Sequence, residues 1–519
     1  MKQSTLLLSF LLILSAQFRA QELLIPSSSA IKDNALFSDS TNNIVGNGFF
    51  PVSYNEANFK LPTKDTSRNW VMRKLFSEHF IQQSGKDFFF AVDPLLNVSI
   101  GQEQLQNSSD YLFQNTRGAQ AFGQIKEVFS FYTAFYENQA RFVKYQSDFF
   151  NDRGELFPLA FGPQNAVIPG GGRTKPFKTN GYDYSSSVSY IRLTPIDKLA
   201  IQFGNAPRFY GWGYRSMLLS DNSFNYTHLT IDWEIIDGLS YTFMRGKQLN
   251  LQRKLYTNLV EAPYERKGIG VHYLSYKPTP SLSIGLFEST VYLRDDATSS
   301  QRVNPYFYNP MIGVNTIANG AENGDMKNLF GLNLAWQFHP QHMLYAQAVS
   351  DDITNKEYGL QLGYRSGNTF NISDLFFQVE ANVATSNLYA ANNERMAYTH
   401  YNLPLAHTLG NGFTEIIARA SYQWKGVFID GKVVYYTAEQ PIENKTRLFE
   451  SKEFVSIMNE TEVMNANVEL GYELNPATQL RMFVNLNYRT SVSNLGDDLN
   501  YGAVSIGIRT ALSNQYFDF

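Results

Sequence analysis

The chain has 519 residues and a formal net charge of −4, with 43 Lys and Arg against 47 Asp and Glu. That balance argues against nucleic acid as the main partner, and with no cysteine there is neither a disulfide framework nor a cysteine metal site. The 40 Phe and 32 Tyr suit aromatic girdles around a polar interior.

Residues 1–20 read as a secretory signal peptide: Lys2 is the basic start, Thr5 to Ala16 the apolar run, and Ala20 precedes one cleavage point, with cleavage after Ala16 or Gln17 the alternative because Phe18 is large. The run is too short to span a bilayer. Residues 21–86 form an expected periplasmic N-terminal segment. It is polar and loosely structured to about residue 66, with Ser27-Ser28-Ser29 and Thr41-Asn42-Asn43. An amphipathic helix is then expected over Ser67 to Gln82, with Met72, Phe76 and Phe80 at every fourth position and Val71 and Leu75 beside them. Such a stripe should bury against a neighbouring helix or the barrel mouth.

From residue 87 to 519 the pattern changes to short alternating stretches. In Glu357 to Arg365, Tyr358, Leu360, Leu362 and Tyr364 share one face while Gln361 and Arg365 lie on the other. Leu375, Phe377, Val379, Ala381 and Val383 oppose Gln378, Glu380 and Asn382; Val468, Leu470 and Tyr472 oppose Glu469 and Glu473; Leu480 to Tyr488 and Val504 to Leu512 repeat the pattern. An apolar face ending in tyrosine and a polar face partly charged fit lipid outside and a polar lumen inside. Short turns (near Asp197, Asp237-Gly238, Lys277 to Pro280, Lys425-Gly426 and Asn475 to Thr478) take turns with long links (142–182, 207–226, 247–266, 294–327, 387–412 and 439–463). The expected fold is all-β, an antiparallel transmembrane β-barrel of about 18 strands. Its tight turns lie in the periplasm and its long links outside, in the outer membrane. The last strand, near Val504 to Leu512, should close on the first, and the terminal Phe519 is similar to the aromatic end read by the outer-membrane insertion machinery.

Lumen charges are mixed: Arg365, Arg419, Lys432, Arg481, Arg489 and Arg509 against Asp232, Glu380, Glu415, Asp430, Glu469 and Glu473. A selective pore favours a ring of one sign, so mixed signs favour an internal network that fills the lumen. The seven histidines make no metal pattern, no cofactor is indicated, and no G-x-S-x-G elbow is usefully placed. Alternation puts His228 and His272 in the lumen, with Val271 and Tyr273 outward. The expectation is a protein that is not an enzyme.

One link is rich in chemistry. Arg208, Trp212, Tyr214, Arg215 and Asp221 could bind glycan, the aromatics stacking on sugar faces and the charges bonding hydroxyls or uronates. Equally, the glycines Gly204, Gly211 and Gly213 suit a folded loop packed into the barrel mouth.

The stretch Gly204-Asn205-Ala206-Pro207-Arg208-Phe209-Tyr210-Gly211-Trp212-Gly213-Tyr214-Arg215-Ser216-Met217-Leu218-Leu219-Ser220-Asp221-Asn222 resembles the signature segment of the capsule assembly Wzi family. Trp70, Arg73 to Phe76 and Glu78-His79 look like that family's N-terminal helix, and His400 to Gly410 looks like its late external-loop segment. The tyrosine-, phenylalanine- and asparagine-rich character is closer to the RemB gliding-motility branch. The resemblance implies an 18-stranded barrel with a small periplasmic helical bundle, working in surface polysaccharide (capsule) assembly or attachment, or in gliding motility. Surface polysaccharide, outer-membrane lipid and other envelope or motility proteins are the implied partners. A porin or substrate channel is the alternative.

Overall fold

The computed structural model describes residues 24, 37, 43–52, 69–105, 108–156, 164–254, 264–295, 300, 302–441, 458–496, 498–510, 512 and 514–519. The signal peptide and the expected helix start at Ser67 lie outside them.

Eighteen strands close a barrel in which each pairs antiparallel with its sequence neighbour. They are β1 Phe88–Leu105, β2 Ser108–Ile125, β3 Phe129–Arg141, β4 Gly181–Ile196, β5 Leu199–Ala206, β6 Tyr226–Ile236, β7 Leu239–Arg253, β8 Tyr264–Thr279, β9 Leu282–Leu293, β10 Met326–His339, β11 His342–Asp352, β12 Glu357–Ser366, β13 Leu375–Ala384, β14 Phe413–Trp424, β15 Val427–Pro441, β16 Met458–Asn475, β17 Leu480–Ser493 and β18 Leu499–Arg509. β18 pairs with β1, from Tyr501 opposite Leu105 to Arg509 opposite Asn97, so no sheet edge is left. The long links lie at one end, together with the four-residue 353–356 link, and the other end carries short turns apart from the 367–374 link. In the β14–β15 hairpin, Lys425 and Gly426 both take positive φ (48° and 86°), which gives the turn the twist the strands need.

Alternation decides what faces lipid. On β12, Leu362 is 64% exposed while Gln361 is 3% exposed. Leu360, Leu470, Met482, Leu486, Val504 and Ile506 are likewise exposed on the outer wall, and Gln378, Glu380 and Asn382 are buried inside.

Three expectations need correction. The N-terminal helix is α1, Trp70–Phe76, seven residues long and with none buried. Phe80 lies beyond it, because His79 and Asp93 pull the chain onto β1: His79 Nδ1 is 2.7 Å from Asp93 Oδ2, and the Phe80 amide donates to Asp93 Oδ1 at 2.9 Å. Residues 81–84 then run antiparallel to β1 as a strand. The apolar stripe is not buried, since Val71, Met72, Leu75 and Phe80 are all exposed. Polar contacts hold the helix instead: Asn475 Nδ2 donates to the Lys74 and Glu78 carbonyls at 3.0 Å each, and Arg73 and Lys74 pair with Glu78.

Second, residues 43–52 are not a loose lead-in but lie inside the barrel. Phe49–Phe50 pairs antiparallel with Phe209–Tyr210 in the lumen, and the Ile44 amide donates to the Pro280 carbonyl at the short-turn end. Third, the last strand stops at Arg509, and residues 514–519 turn back into the lumen. Phe519 is 3% exposed, stacked on Phe149 with ring centroids 3.5 Å apart. It caps no strand of the folded barrel.

Two outcomes follow. With a single cysteine at Thr354 in the β11–β12 link or at Ala477 in the β16–β17 turn, an impermeant thiol reagent should label intact cells at Thr354 and not at Ala477. Asn475→Ala leaves two carbonyls without their donor and should cost about 1–3 kcal/mol, read as a lower melting temperature in detergent, whereas Leu75→Asp on the exposed stripe should change it little.

Candidate functional site

An eighteen-stranded barrel is too wide for its own wall side chains to fill. Here other parts of the chain fill it. The 207–225 link, between β5 and β6, dives into the lumen, and its turn depends on two glycines. Gly211 has φ 137°, and a Cβ there would sit 2.3 Å from Gln347 Nε2; a Cβ on Gly213 would sit 2.5 Å from Glu380 Oε2.

All five residues expected to bind glycan lie in this plug. Arg208 is 1% exposed, 3.7 Å from Asp232 and over the Phe49 ring. Trp212 is 1% exposed, set edge-on to Phe50 at 6.0 Å, and its carbonyl accepts from Arg365 Nη1 at 2.6 Å. Tyr214 is half-buried; its hydroxyl donates to Asp518 Oδ2 at 2.7 Å and accepts from Lys432 Nζ at 2.9 Å. Asp221 accepts from the Tyr516 hydroxyl at 2.8 Å and from Asn514 Nδ2 at 3.2 Å. Arg215 is the hub. It reaches Glu415 Oε1 at 3.1 Å and Asp518 Oδ1 at 3.0 Å, while the amides of Tyr214 and Arg215 donate to Glu380 at 2.7 and 3.1 Å. No indole face of Trp212 is open to stack on a sugar, so the folded-loop alternative describes the geometry of this link.

The 385–412 link, between β13 and β14, packs on the plug. The Ser220 amide donates to the Leu405 carbonyl at 2.7 Å, Asn222 Nδ2 to the Pro404 carbonyl at 3.1 Å, and His407 Nε2 lies 2.6 Å from Glu415 Oε2. Two of the three segments that carry the resemblance thus touch each other. Helix α2 (Lys144–Asp152) closes one side: the Tyr145 hydroxyl donates to the Phe517 carbonyl at 3.0 Å, and Phe150 is fully buried against Phe517 and Phe519.

The mixed lumen charges pair as expected: Arg481 with Glu473 at 2.8 Å, Arg192 with Asp232 at 2.7 Å, Arg509 with Glu469 and Lys432 with Asp518. A cavity of about 410 Å³ remains beside the tail, lined by amides including Asn97, Gln114, Asn465, Asn467, Asn485 and Asn487. Several of these bond each other; Asn467 and Asn485 exchange bonds of 3.0 and 3.1 Å. Asp518, Tyr516 and the fully buried Gln248 went unnoticed in the sequence. No periodicity marks a tail or a link; the mixed lumen charges and the glycines Gly204, Gly211 and Gly213 were the hints of a filling.

A closed antiparallel barrel with an apolar outer wall and tyrosines at its rims defines a transmembrane barrel of the outer-membrane class. No family model and no curated protein matches the chain. Among solved structures, Wzi of Escherichia coli, a carbohydrate-binding outer-membrane β-barrel involved in group 1 capsule assembly, is 13% identical with a TM-score of 0.54, the match covering 95% of this chain and 100% of that one. OpdK and OpdQ of Pseudomonas aeruginosa are 12% and 10% identical with TM-scores of 0.42 and 0.41, each covering 80% of this chain and 97% of the other. The likeness to Wzi is one of barrel fold.

Burial opposes the Asp518 carboxylate, but the Arg215 guanidinium and Lys432 ammonium outweigh it and hold its carboxyl well below the ordinary range. A depressed carboxyl contributes fully above its unfolded value of about 3.9 and loses that contribution as pH falls through the folded value. The cluster therefore stays closed through mildly acidic pH. Asp518→Ala takes the carboxylate from Lys432 and leaves Arg215 with Glu415 alone; it should cost about 3–5 kcal/mol, seen as a lower melting temperature near neutral pH and a smaller difference from wild type in strong acid.

Proposed function

We propose that this chain is a non-enzymatic outer-membrane barrel that takes part in surface polysaccharide assembly or attachment, with the resemblance to the RemB branch adding cell-surface gliding as a setting. One observation carries the reading. The lumen is filled by residues 43–52, the 207–225 and 385–412 links, α2 and the C-terminal tail, held together by strand pairing, hydrogen bonds, aromatic stacking and the Arg215 ion pairs. A barrel filled this way suits holding a polymer at its outer mouth better than passing solutes. The carbohydrate binding and capsule assembly ascribed to Wzi support it. The paired histidines do not point to catalysis, since His79 with Asp93 and His407 with Glu415 are buried inside packed elements.

On this reading Arg208, Trp212, Tyr214, Arg215 and Asp221 position the outer links that meet the glycan, the 385–412 link first among them. The channel reading keeps one favouring observation, the amide-lined cavity within the lumen.

The test uses a strain lacking the chain, complemented with wild type or Arg215→Ala at matched barrel abundance. Wild type should restore polysaccharide retention and show little conductance in planar bilayers. Arg215→Ala, with its plug loosened, should retain less polysaccharide and conduct measurably. Steady conductance by the wild-type barrel, together with unchanged polysaccharide in the deletion strain, would favour the channel.

A further inference from the structure

His272 does not face the lumen. Its neighbours Val271 and Tyr273 do, packed with Tyr210 and Phe287 in the interior cluster. His272 therefore points outward, and the register sets it beside other outward polar residues. His272 is opposite Glu288 on β9, and Arg245 on β7 lies one pair higher. Thr290 on β9 and Asn328 on β10 continue the patch toward the long-link end. Neighbouring positions at the same height are apolar and exposed: Leu229, opposite Arg245, is 39% exposed, and Phe203, opposite Leu229, is 53% exposed. Ionisable groups thus sit at the upper rim of a lipid-facing wall, where such groups are costly.

They are not bare. Arg245 is 8% exposed, His272 1% and Glu288 0%. The cover is part of the 294–325 link, which folds down over the outside of the wall. A 3₁₀ turn, Pro305–Tyr308, and helix α3, Val314–Asn319, lie across it. Arg245 donates to the carbonyls of Phe307 and Asn309. Glu288 accepts from the Gly313 amide at 2.8 Å and from the Thr316 amide and hydroxyl at 2.9 and 2.6 Å. Asn315 Nδ2 donates to Thr290 Oγ1 at 3.1 Å and to the Tyr292 hydroxyl at 2.7 Å, and Asn328 Nδ2 donates to the Gly320 carbonyl at 2.7 Å. The polar side of this strap is spent on the wall. Its other side is apolar, with Tyr306 36%, Tyr308 68%, Met311 63% and Ile317 87% exposed.

We propose that residues 304–320 form a membrane-embedded strap that docks on the outward polar patch of β7–β10 and presents Tyr308, Met311 and Ile317 to the lipid of the adjoining leaflet. The occupant is lipid because the strap's apolar side continues the exposed wall below it, Leu332 and Leu334 on β10 and Leu360 on β12. It also stands level with Tyr358, which is opposite Ser350 and so in the tier of Phe330 and Glu288. Over the polar patch of β7–β9 the strap supplies the outermost tyrosines.

The chain has no cysteine, so an introduced one is a unique label site. A nitroxide at Met311→Cys or Ile317→Cys, in phosphatidylethanolamine–phosphatidylglycerol vesicles, is compared with Leu362→Cys on the lipid-facing wall and Thr354→Cys in the exposed β11–β12 link. The strap labels should match Leu362: open to molecular oxygen and shielded from a water-soluble nickel chelate. Labels that match Thr354, or that are shielded from both agents as under a protein partner, overturn the proposal. In the Glu288→Ala background the strap labels should shift toward the Thr354 values while Leu362 stays put. A folded Glu288→Ala barrel with unmoved strap labels would contradict the docking, and should that variant not assemble, the labels in the otherwise native chain still decide.

Discussion

Arg215, Glu415 and Asp518 meet inside the barrel, and most of the interior depends on that meeting. The three come from the 207–225 link, the wall at β14 and the C-terminal tail. Eighteen strands give a circumference whose interior must hold water or more protein. Once the 207–225 link enters, its amides and its arginine need partners, and Glu380, Glu415 and Asp518 supply them. The tail is then fixed by the same cluster, with Tyr516 on Asp221 and Phe519 on Phe149 following from it. Residues 43–52 complete the packing by pairing with Phe209–Tyr210.

A buried ion cluster contributes little net stability, because desolvation offsets most of the Coulomb gain. Its energetic asymmetry lies elsewhere: with one partner missing, the rest are stranded in a poorly solvated interior. The arrangement selects which segment goes where. Many apolar segments could enter a wide lumen, but only a carboxylate placed as Asp518 is satisfies both Arg215 and Lys432. The wall is closed by continuous antiparallel pairing from β1 to β18. The plug needs the wall, since Glu380, Glu415, Gln347 and Arg365 are all wall residues.

The wall was legible in the sequence for a simple reason. A strand between lipid and a polar interior must alternate, so Leu360 and Leu362 against Gln361 give both the element and its orientation. Segments that leave the wall obey no such period. The helix expected over Ser67 to Gln82 shows the failure directly: Met72, Phe76 and Phe80 keep helical spacing, but the bonds of Asp93 to His79 and Phe80 take the chain off the helix. The tail was hidden because a terminal phenylalanine after alternating residues has an obvious reading as a strand end. The candidate residues were found as a group, with sugar contact and a folded loop left as two readings of them. Arg, Trp, Tyr and Asp in one link suit sugar contact and buried networks alike, and exposure separates the two only once the fold is known.

The same logic accounts for the misreading of β8. Alternation assigns faces correctly only if polar means inward, and on β7–β10 that premise fails near the long-link end. Arg245, His272 and Glu288 are outward because their apolar neighbours, Met244, Tyr273 and Phe287, are claimed by the plug. Tyr273 packs on Phe49 and Tyr210, and its hydroxyl accepts from Asn333 Nδ2 at 2.9 Å. Where the interior is protein and not water, inward positions can be apolar and the sign of the pattern can reverse. A reversed pattern exposes charge on the lipid side, and a link must come down to cover it. The plug within and the strap without are therefore two consequences of filling one lumen.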